Sequence, residues 1–167
     1  MDVQHRYEQL STAYPELRLY SLVDGLQYRQ HTGHDVQPQF ESHGQINRSL
    51  FEGTEDAPLA HAGPWLFDVT HRPDLIEPLA TLESALPGVS WLVCALDLQG
   101  LTQLLQLKLH VRLAPGKTAL LRFYDPRVLG NLFVVMTAQQ KAEFFSLIDE
   151  WHFMHGGQRV WAGRSHA

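Results

Sequence analysis

The sequence predicts an α/β protein, a single domain over residues 1–167 in which a mixed sheet with a β-hairpin at about 108–124 is flanked by helices. Three observations predict this class. Short apolar runs of strand length alternate along the chain with segments whose leucines recur every three or four residues. Residues 107–113 alternate strictly between apolar and polar side chains and lead into a proline-glycine turn. The chain has 167 residues, of which 44% are hydrophobic, and this suits one domain with its own core.

The first half of the chain predicts short strands separated by loops. A loosely helical start at 6–14 leads to an apolar run at 20–25 that ends in an Asp-Gly turn, as a strand does. Residues 26–47 are rich in Gln and His and have no sustained period, so we expect mostly loop there. Residues 49–53 form a second short apolar element. Residues 64–69 predict a strand whose leading proline suits a strand start or a sheet edge.

The middle of the chain predicts two helices and two strands. Apolar residues recur every three or four positions in 73–86, which is typical of an amphipathic helix, and a Pro-Gly pair then ends it. Residues 89–96 are almost entirely apolar, as expected of a central strand covered on both faces. The leucines of 101–105 have helical spacing, and the period changes to that of a strand near Leu107.

The last third predicts the hairpin and a closing helix. Pro115 and Gly116 suit the central positions of a type II turn between the alternating strand and residues 118–124. Thr137 stands three residues before Gln140, the spacing of a capping box, and predicts a helix start. One apolar stripe predicts that this helix continues, and its members are Phe144, Phe145, Ile148 and Trp151.

Charge and cysteine content argue against several classes of protein. Thirteen basic and 18 acidic residues leave a net charge of −5, the wrong sign for a phosphate-backbone binder, so no nucleic-acid partner is expected. The longest apolar-rich segment is interrupted by charged and amide side chains, so no membrane span is expected. The N-terminus lacks the apolar stretch of a signal peptide. The single cysteine, Cys94, lies in an apolar run and predicts a buried thiol in a cytoplasmic protein.

Ten histidines raise the question of a metal site. The closest pairs are His31 with His34 and His152 with His155, each separated by two residues. A structural zinc site needs about four placed N or S ligands, and the one thiol lies in an apolar run. The chain has no Gly-x-Ser-x-Gly elbow and no glycine-rich phosphate loop. We therefore expect no metal, no cofactor and no catalytic residues; the alternative is a metal-dependent hydrolase that uses these histidines.

The densest polar cluster follows the predicted hairpin. It contains Arg122, Tyr124, Asp125 and Arg127. On one interpretation, the two guanidinium groups hold a carboxylate or phosphate, which such groups bind in a bidentate way. On the other, Asp125 and the following proline form a turn, and the carboxylate pairs with an arginine to fix the corner. The second interpretation explains the residues without any ligand.

The order of these elements resembles that of the domain of unknown function 4123 family, the adaptor chaperones of bacterial type VI secretion. The resemblance covers about residues 19–161, and the Arg-Phe-Tyr-Asp-Pro-Arg block is its most distinctive part. The matching blocks are 20–25, 50–54, 63–66, 101–113, 122–127 and the closing helix that ends at Trp151.

The resemblance implies a non-enzymatic cytoplasmic adaptor. Such a protein binds the N-terminal part of a toxic effector and promotes its loading onto the spike protein VgrG. It also implies that Arg122, Asp125 and Arg127, with Tyr124 between them, serve the fold or contact the partner. Residues outside these blocks receive no role from the resemblance.

Overall fold

The fold is built on a six-stranded sheet, which a computed structural model describes over residues 2–42 and 44–164. The strands lie in the order β10-β9-β6-β1-β5-β4, and every neighbouring pair is antiparallel. The strands are β1 (Arg18–Asp24), β2 (Phe40–Glu41), β3 (Gly44–Gln45), β4 (Asn47–Ser49), β5 (Pro64–Asp68), β6 (Val89–Cys94), β7 (His110–Ala114), β8 (Lys117–Leu120), β9 (Glu150–His155) and β10 (Gln158–Ala162).

Helices cover both faces of this sheet. They are α1 (Val3–Ala13), α2 (Gly25–Thr32), α3 (Ile76–Ala85), α4 (Leu98–Gln106), α5 (Pro126–Val135) and α6 (Ala138–Phe144), with 3-10 turns at Ala57–Ala62 and Pro73–Leu75. No helix in the described part of the chain is both long enough and apolar enough to cross a membrane.

Alternating side chains of the strands feed two separate cores. On β1, Tyr20 and Leu22 enter the core that α4 and α5 cover, whereas Leu19 and Val23 enter the core that α1 and α3 cover. All four side chains are at most 1% exposed. Burying a leucine or valine side chain contributes about 1.5–3 kcal/mol, so a strand apolar on both faces is strongly held in the middle of the sheet.

The structure confirms the α/β class and the central part of the prediction. The strand predicted at 89–96 is β6, which lies between β9 and β1 and is buried along its whole length. The strand at 64–69 and the helix at 73–86 are present as β5 and α3, the latter preceded by a 3-10 turn. Cys94 is fully buried, and burial raises the pKa of its thiol to about 12.

The expectation of mostly loop at 26–47 is wrong for its first part. Residues Gly25–Thr32 form α2, although few of its residues are apolar. The Asp24 carboxylate accepts hydrogen bonds from the first N–H groups of the helix, and Gly33 ends it with a φ of 81°. End caps thus specify this helix in place of an apolar stripe, and periodicity does not detect such a helix.

The closing helix predicted to reach Trp151 is also wrong. The capping box of Thr137 and Gln140 is present, but α6 ends at Phe144, and Leu147 has a φ of 63°, which a right-handed helix excludes. Trp151 lies in β9, which returns through a glycine turn to pair with β10. The helical spacing of the four apolar residues arises because the end of α6, the following turn and β9 all direct them into one core.

The predicted hairpin is shorter and stands apart from the large sheet. Its strands β7 and β8 are joined at Pro115 and Gly116, where Gly116 has the positive φ that a type II turn requires. They form a two-stranded sheet of their own. The second strand ends at Leu120, because the chain then turns and Pro126 begins α5. Asp-Pro here starts a helix, a role that suits proline at the first helical position.

Candidate functional site

Backbone pairing brings three of the short sequence blocks to one end of β1. Asp24 lies opposite Pro64 in the antiparallel pair of β1 and β5. The Gly25 N–H donates to the Gly63 carbonyl at 2.9 Å, and the Leu50 N–H donates to the Pro64 carbonyl at 2.9 Å. The blocks 20–25, 50–54 and 63–66 therefore meet through main-chain hydrogen bonds.

Close packing at two glycines completes this meeting point. A Cβ on Gly25 would lie 2.7 Å from the Gly63 carbonyl oxygen, and a Cβ on Gly63 would overlap the Phe51 ring. The Phe51 ring in turn packs edge-on against Tyr124, with ring centroids 6.4 Å apart. Tyr124 thus links the 122–127 block to the other three.

The fifth block joins through one side chain of α4. The Gln106 amide group donates to the carbonyl of Leu50 at 3.0 Å and to that of Glu52 at 2.9 Å. These bonds satisfy two main-chain acceptors in the turn that follows β4. The segment predicted as the closing helix lies outside this meeting point but contacts the 122–127 block, because the Phe123 ring packs edge-on against Phe144 and Trp151.

Asp24 is the buried acid of the site and is 0% exposed. One carboxylate oxygen accepts hydrogen bonds from the N–H groups of Leu26 at 2.9 Å and Gln27 at 3.3 Å, so it caps α2. The other oxygen lies 3.4 Å from Nη2 of Arg122. Burial raises the pKa of Asp24 above its ordinary value, because these donors only partly replace lost water.

Asp125 has the same role at the start of α5. Its Oδ1 accepts hydrogen bonds from the Arg127 N–H at 2.9 Å and from Nε of that arginine at 3.0 Å, and its Oδ2 accepts one from Nη2 at 2.7 Å. Burial acts to raise the pKa of Asp125, but the hydrogen bonds from Arg127 outweigh it and lower the pKa. The carboxylate is therefore held in its charged form.

We define the Asp24–Asp125 junction as Asp24, Arg122, Tyr124, Asp125 and Arg127. The Arg122 guanidinium lies 5.7 Å from the centre of the Tyr124 ring, which is a cation–π contact. Burial raises the pKa of the Tyr124 phenol. Both carboxylates are engaged by helix N–H groups and by arginine. The arginine side chains remain 45% exposed at Arg122 and 62% exposed at Arg127, so they present cationic groups to solvent.

The junction lies inside the region that a family comparison recognises. The model of the family described as Domain of unknown function (DUF4123) matches residues 19–143, which include all five blocks that meet here. The chain belongs to the DUF4123 family. Comparisons with curated proteins and with solved structures give no significant match.

In this DUF4123 protein, the Asp24–Asp125 junction contains every site residue predicted from the sequence and one residue that the sequence analysis missed. Arg122, Tyr124, Asp125 and Arg127 lie together, and the ion pair at this corner joins Asp125 to Arg127. Asp24 was not predicted to take part. An aspartate followed by glycine at a strand end was interpreted as a turn, but the same residue type is a strong helix N-cap, and this was the available signal.

The histidine pairs do not form a metal centre in the described residues of this DUF4123 protein. No group of three or more His, Cys, Asp or Glu side chains that could hold a metal occurs in residues 2–42 and 44–164. His31 and His34 lie at the exposed end of α2. His152 is buried on β9 and lies 2.7 Å from Glu150, whose carboxylate also accepts a hydrogen bond from Arg6 at 2.9 Å.

Proposed function

We propose that this DUF4123 protein is an adaptor chaperone of a type VI secretion system. It binds the N-terminal part of an effector protein in the cytoplasm and promotes its loading onto the VgrG spike. The proposal is supported by membership of the family over residues 19–143 and by the resemblance of this chain to the adaptor chaperones of type VI secretion. No metal, cofactor or catalytic step is part of the proposed role.

The observation that carries the proposal is that residues of the 20–25 and 122–127 blocks come together in the Asp24–Asp125 junction. Two buried carboxylates each cap a helix and each pair with an arginine, so the acids of the 20–25 and 122–127 blocks are committed to hydrogen bonds. The junction leaves two half-exposed guanidinium groups, which suit a carboxylate on a partner protein. This arrangement supports a binding role.

Exposed apolar surface also supports a binding role. Leu107 is 83% exposed, Val135 is 76% exposed and Val134 is 67% exposed, although leucine and valine are mostly buried in folded proteins. Apolar groups that remain exposed close together mark interaction sites. Leu107 and Val135 line the same groove.

The test is coexpression with a candidate effector. The candidate effector is encoded by a toxin gene downstream of the gene for this protein, where a VgrG gene lies upstream, and its N-terminal segment is expressed with and without the tagged adaptor. We expect the segment to become soluble and to copurify in a fixed ratio. The N-terminal segment of an effector from an unrelated cluster is the control and should remain insoluble.

Two results would contradict this function. One is that the neighbouring effector has the same solubility and secretion with and without the adaptor. The other is zinc bound near one equivalent per chain together with hydrolytic activity, which would favour the metal-dependent hydrolase. Loading onto VgrG is tested separately, by asking whether purified VgrG takes up the effector only from the complex.

A further inference from the structure

The hairpin of β7 and β8 has an open main-chain edge. The Leu121 N–H donates to the Leu109 carbonyl at 2.6 Å, which makes these residues a hydrogen-bonded pair at the base of the ladder. Pairs alternate in an antiparallel ladder, so the N–H and C=O groups of His110 and Arg112 point away from β8. Within the described residues, no hydrogen bond from another element reaches them.

An apolar groove runs along this edge. It has a volume of about 610 Å³ and lies between β7 and the helices α5 and α6. Neighbouring residues of a strand point to opposite faces, yet both His110 and Val111 line the groove, so the edge of the strand forms its wall. The remaining apolar and aromatic lining residues include Leu107, Leu121, Leu132, Val135, Met136 and Phe144.

The apolar face of the hairpin is only partly covered. Leu109, Val111 and Leu113 alternate with polar residues, a pattern that usually means one buried face. Leu109 is 0% exposed, but Leu113 is 69% exposed. A two-stranded hairpin is marginal in water without such cover. A further strand in the groove would supply it at Leu107 and Val111, which line the groove, whereas Leu113 lies outside it.

Charge indicates the chemistry of that strand. The chain as a whole carries −5, but residues 98–124 contain four Lys and Arg residues and no Asp or Glu. Arg112 and Lys117 are exposed on the hairpin. Two carboxylates lie nearby: Asp56 pairs with His110 at 3.1 Å, and Glu143 lies on the far wall of the groove, bonded to Gln139. Acidic groups of a bound strand would thus be favoured near Arg112 and disfavoured within the groove.

We propose that the outer edge of β7 is the docking site for an extended segment of the partner protein, in which apolar residues alternate with Asp or Glu. The segment adds a third strand to the hairpin. Its main chain forms hydrogen bonds with the main-chain groups of His110 and Arg112, and its apolar side chains fill the groove. Its acidic side chains lie on the opposite face, near Arg112 and Lys117. The inference depends on the proposed function in one respect only, which is that the partner protein is an effector.

The test uses a short dye-labelled peptide that alternates Val and Glu, and a control peptide that alternates Val and Lys. Binding is followed by fluorescence anisotropy at low salt. We expect the Glu peptide to bind at least about tenfold more tightly, since two exposed cations favour it and repel the control. Equal binding of both peptides, or tighter binding of the Lys peptide, would overturn the proposed chemistry.

Variants of Arg112 separate the charge from the main-chain contact. Arg112→Ala removes the charge and keeps the N–H, whereas Arg112→Pro also removes the outward N–H without removing a bond of the hairpin. We expect Arg112→Ala to weaken the Glu peptide about threefold and Arg112→Pro to weaken it about tenfold further. Arg29→Ala, which removes an exposed arginine of α2, is the matched control and should leave binding unchanged. Circular dichroism and thermal unfolding check that each variant is folded.

The same variants separate this inference from the proposed function. An effector complex that survives Arg112→Pro with full affinity overturns the docking site and leaves the adaptor function intact. Failure of the unmodified protein to bind its effector, with the Glu peptide still bound in the groove, overturns the function alone. Sedimentation shows whether a second copy of the chain occupies the edge of β7. A dimer that dissociates in the Arg112→Pro variant would show that the occupant is a second copy, and it would overturn the partner segment as the occupant.

Discussion

Arg122 and Asp24 form an ion pair between residues 98 positions apart in the chain, with Nη2 of the arginine 3.4 Å from Oδ2 of the aspartate. The pair connects the loop before α5 to the start of α2. It is asymmetric, because the aspartate is fully buried and the arginine is 45% exposed. Loss of the pair would therefore leave a buried carboxylate with fewer donors at Asp24, whereas water could still hydrate the guanidinium group of Arg122.

The first prediction separates the cap at Asp24 from its charge. Asp24→Asn keeps an oxygen for the N–H groups of α2, and the raised pKa of Asp24 shows that its environment disfavours the charge. We expect Asn to change the free energy of unfolding by less than about 1 kcal/mol, and Asp24→Ala to lower it by about 1–2 kcal/mol through loss of the cap. Urea unfolding at pH 7 measures both. An equal loss in the two variants would show that the ion pair, not the cap, stabilises this site.

The second prediction concerns Asp125, where the same substitution should act differently. The pKa of Asp125 is lowered, so its charge stabilises the fold at neutral pH, and this stabilisation is lost as the pH falls through the lowered pKa. Asp125→Asn should destabilise by about 0.5–1 kcal/mol, since Arg127 is 62% exposed and solvent weakens the pair. Asp125→Ala should destabilise by about 1–2 kcal/mol.

Arg127→Gln is the control for this position. It removes the charge partner and keeps the Asp125 cap, so its effect on stability should not exceed about 1 kcal/mol. Thermal unfolding and effector binding are measured on all three variants. Unchanged unfolding of Asp125→Ala together with loss of effector binding would make this corner a direct contact site instead of a structural one.

The third prediction concerns the contact of α5 with β9. A Cβ on Gly130 would overlap the ring of His155, because the helix packs directly against this strand. Alanine normally stabilises an exposed helix position by about 1 kcal/mol relative to glycine. At this buried position we expect Gly130→Ala to destabilise by about 1–3 kcal/mol through overpacking. The double variant with His155→Ala should recover most of the loss, and failure to recover it would show that another contact causes the strain.

The fourth prediction is a pH dependence of stability that arises from His152. Burial lowers the pKa of His152 below its ordinary value of 6.5 and outweighs the hydrogen bond to Glu150. The unfolded chain therefore takes up this proton first as the pH falls. Stability from this group is fully present above about pH 7, begins to fall near 6.5 and is lost as the pH drops through the folded-state pKa, with a limiting slope of about 1.4 kcal/mol per pH unit.

His152→Gln is the comparison variant, and urea unfolding is measured from pH 7.5 to 5.5. The difference in unfolding free energy between wild type and variant should shrink as the pH falls. The pKa of Glu150 is lowered, because hydrogen bonds from Arg6 and His152 outweigh burial, so its own contribution is lost only at more acidic pH. A difference that stays constant over this range would show that His152 does not change its protonation on unfolding.

Local chemistry in the sequence is sufficient for some elements. The apolar run of β6 predicts a strand buried on both faces, because a short extended run with apolar side chains at almost every position needs cover on each face. The Pro115-Gly116 turn and the capping box of Thr137 and Gln140 are likewise local, since each depends on residues only a few positions apart. The polar cluster at 122–127 is visible for the same reason.

Tertiary structure decided the remaining elements and the site. Whether Trp151 lies in a helix or a strand depends on the free edge of β6, which pairs with β9, and helical spacing alone cannot reveal that edge. The partner of Arg122 is a carboxylate 98 residues away, which sheet pairing brings within reach. The hairpin groove also exists only in three dimensions, because its walls come from β7, α5 and α6. Sequence determined which groups are polar or apolar, and packing determined which of them are satisfied within the chain and which remain open to a partner.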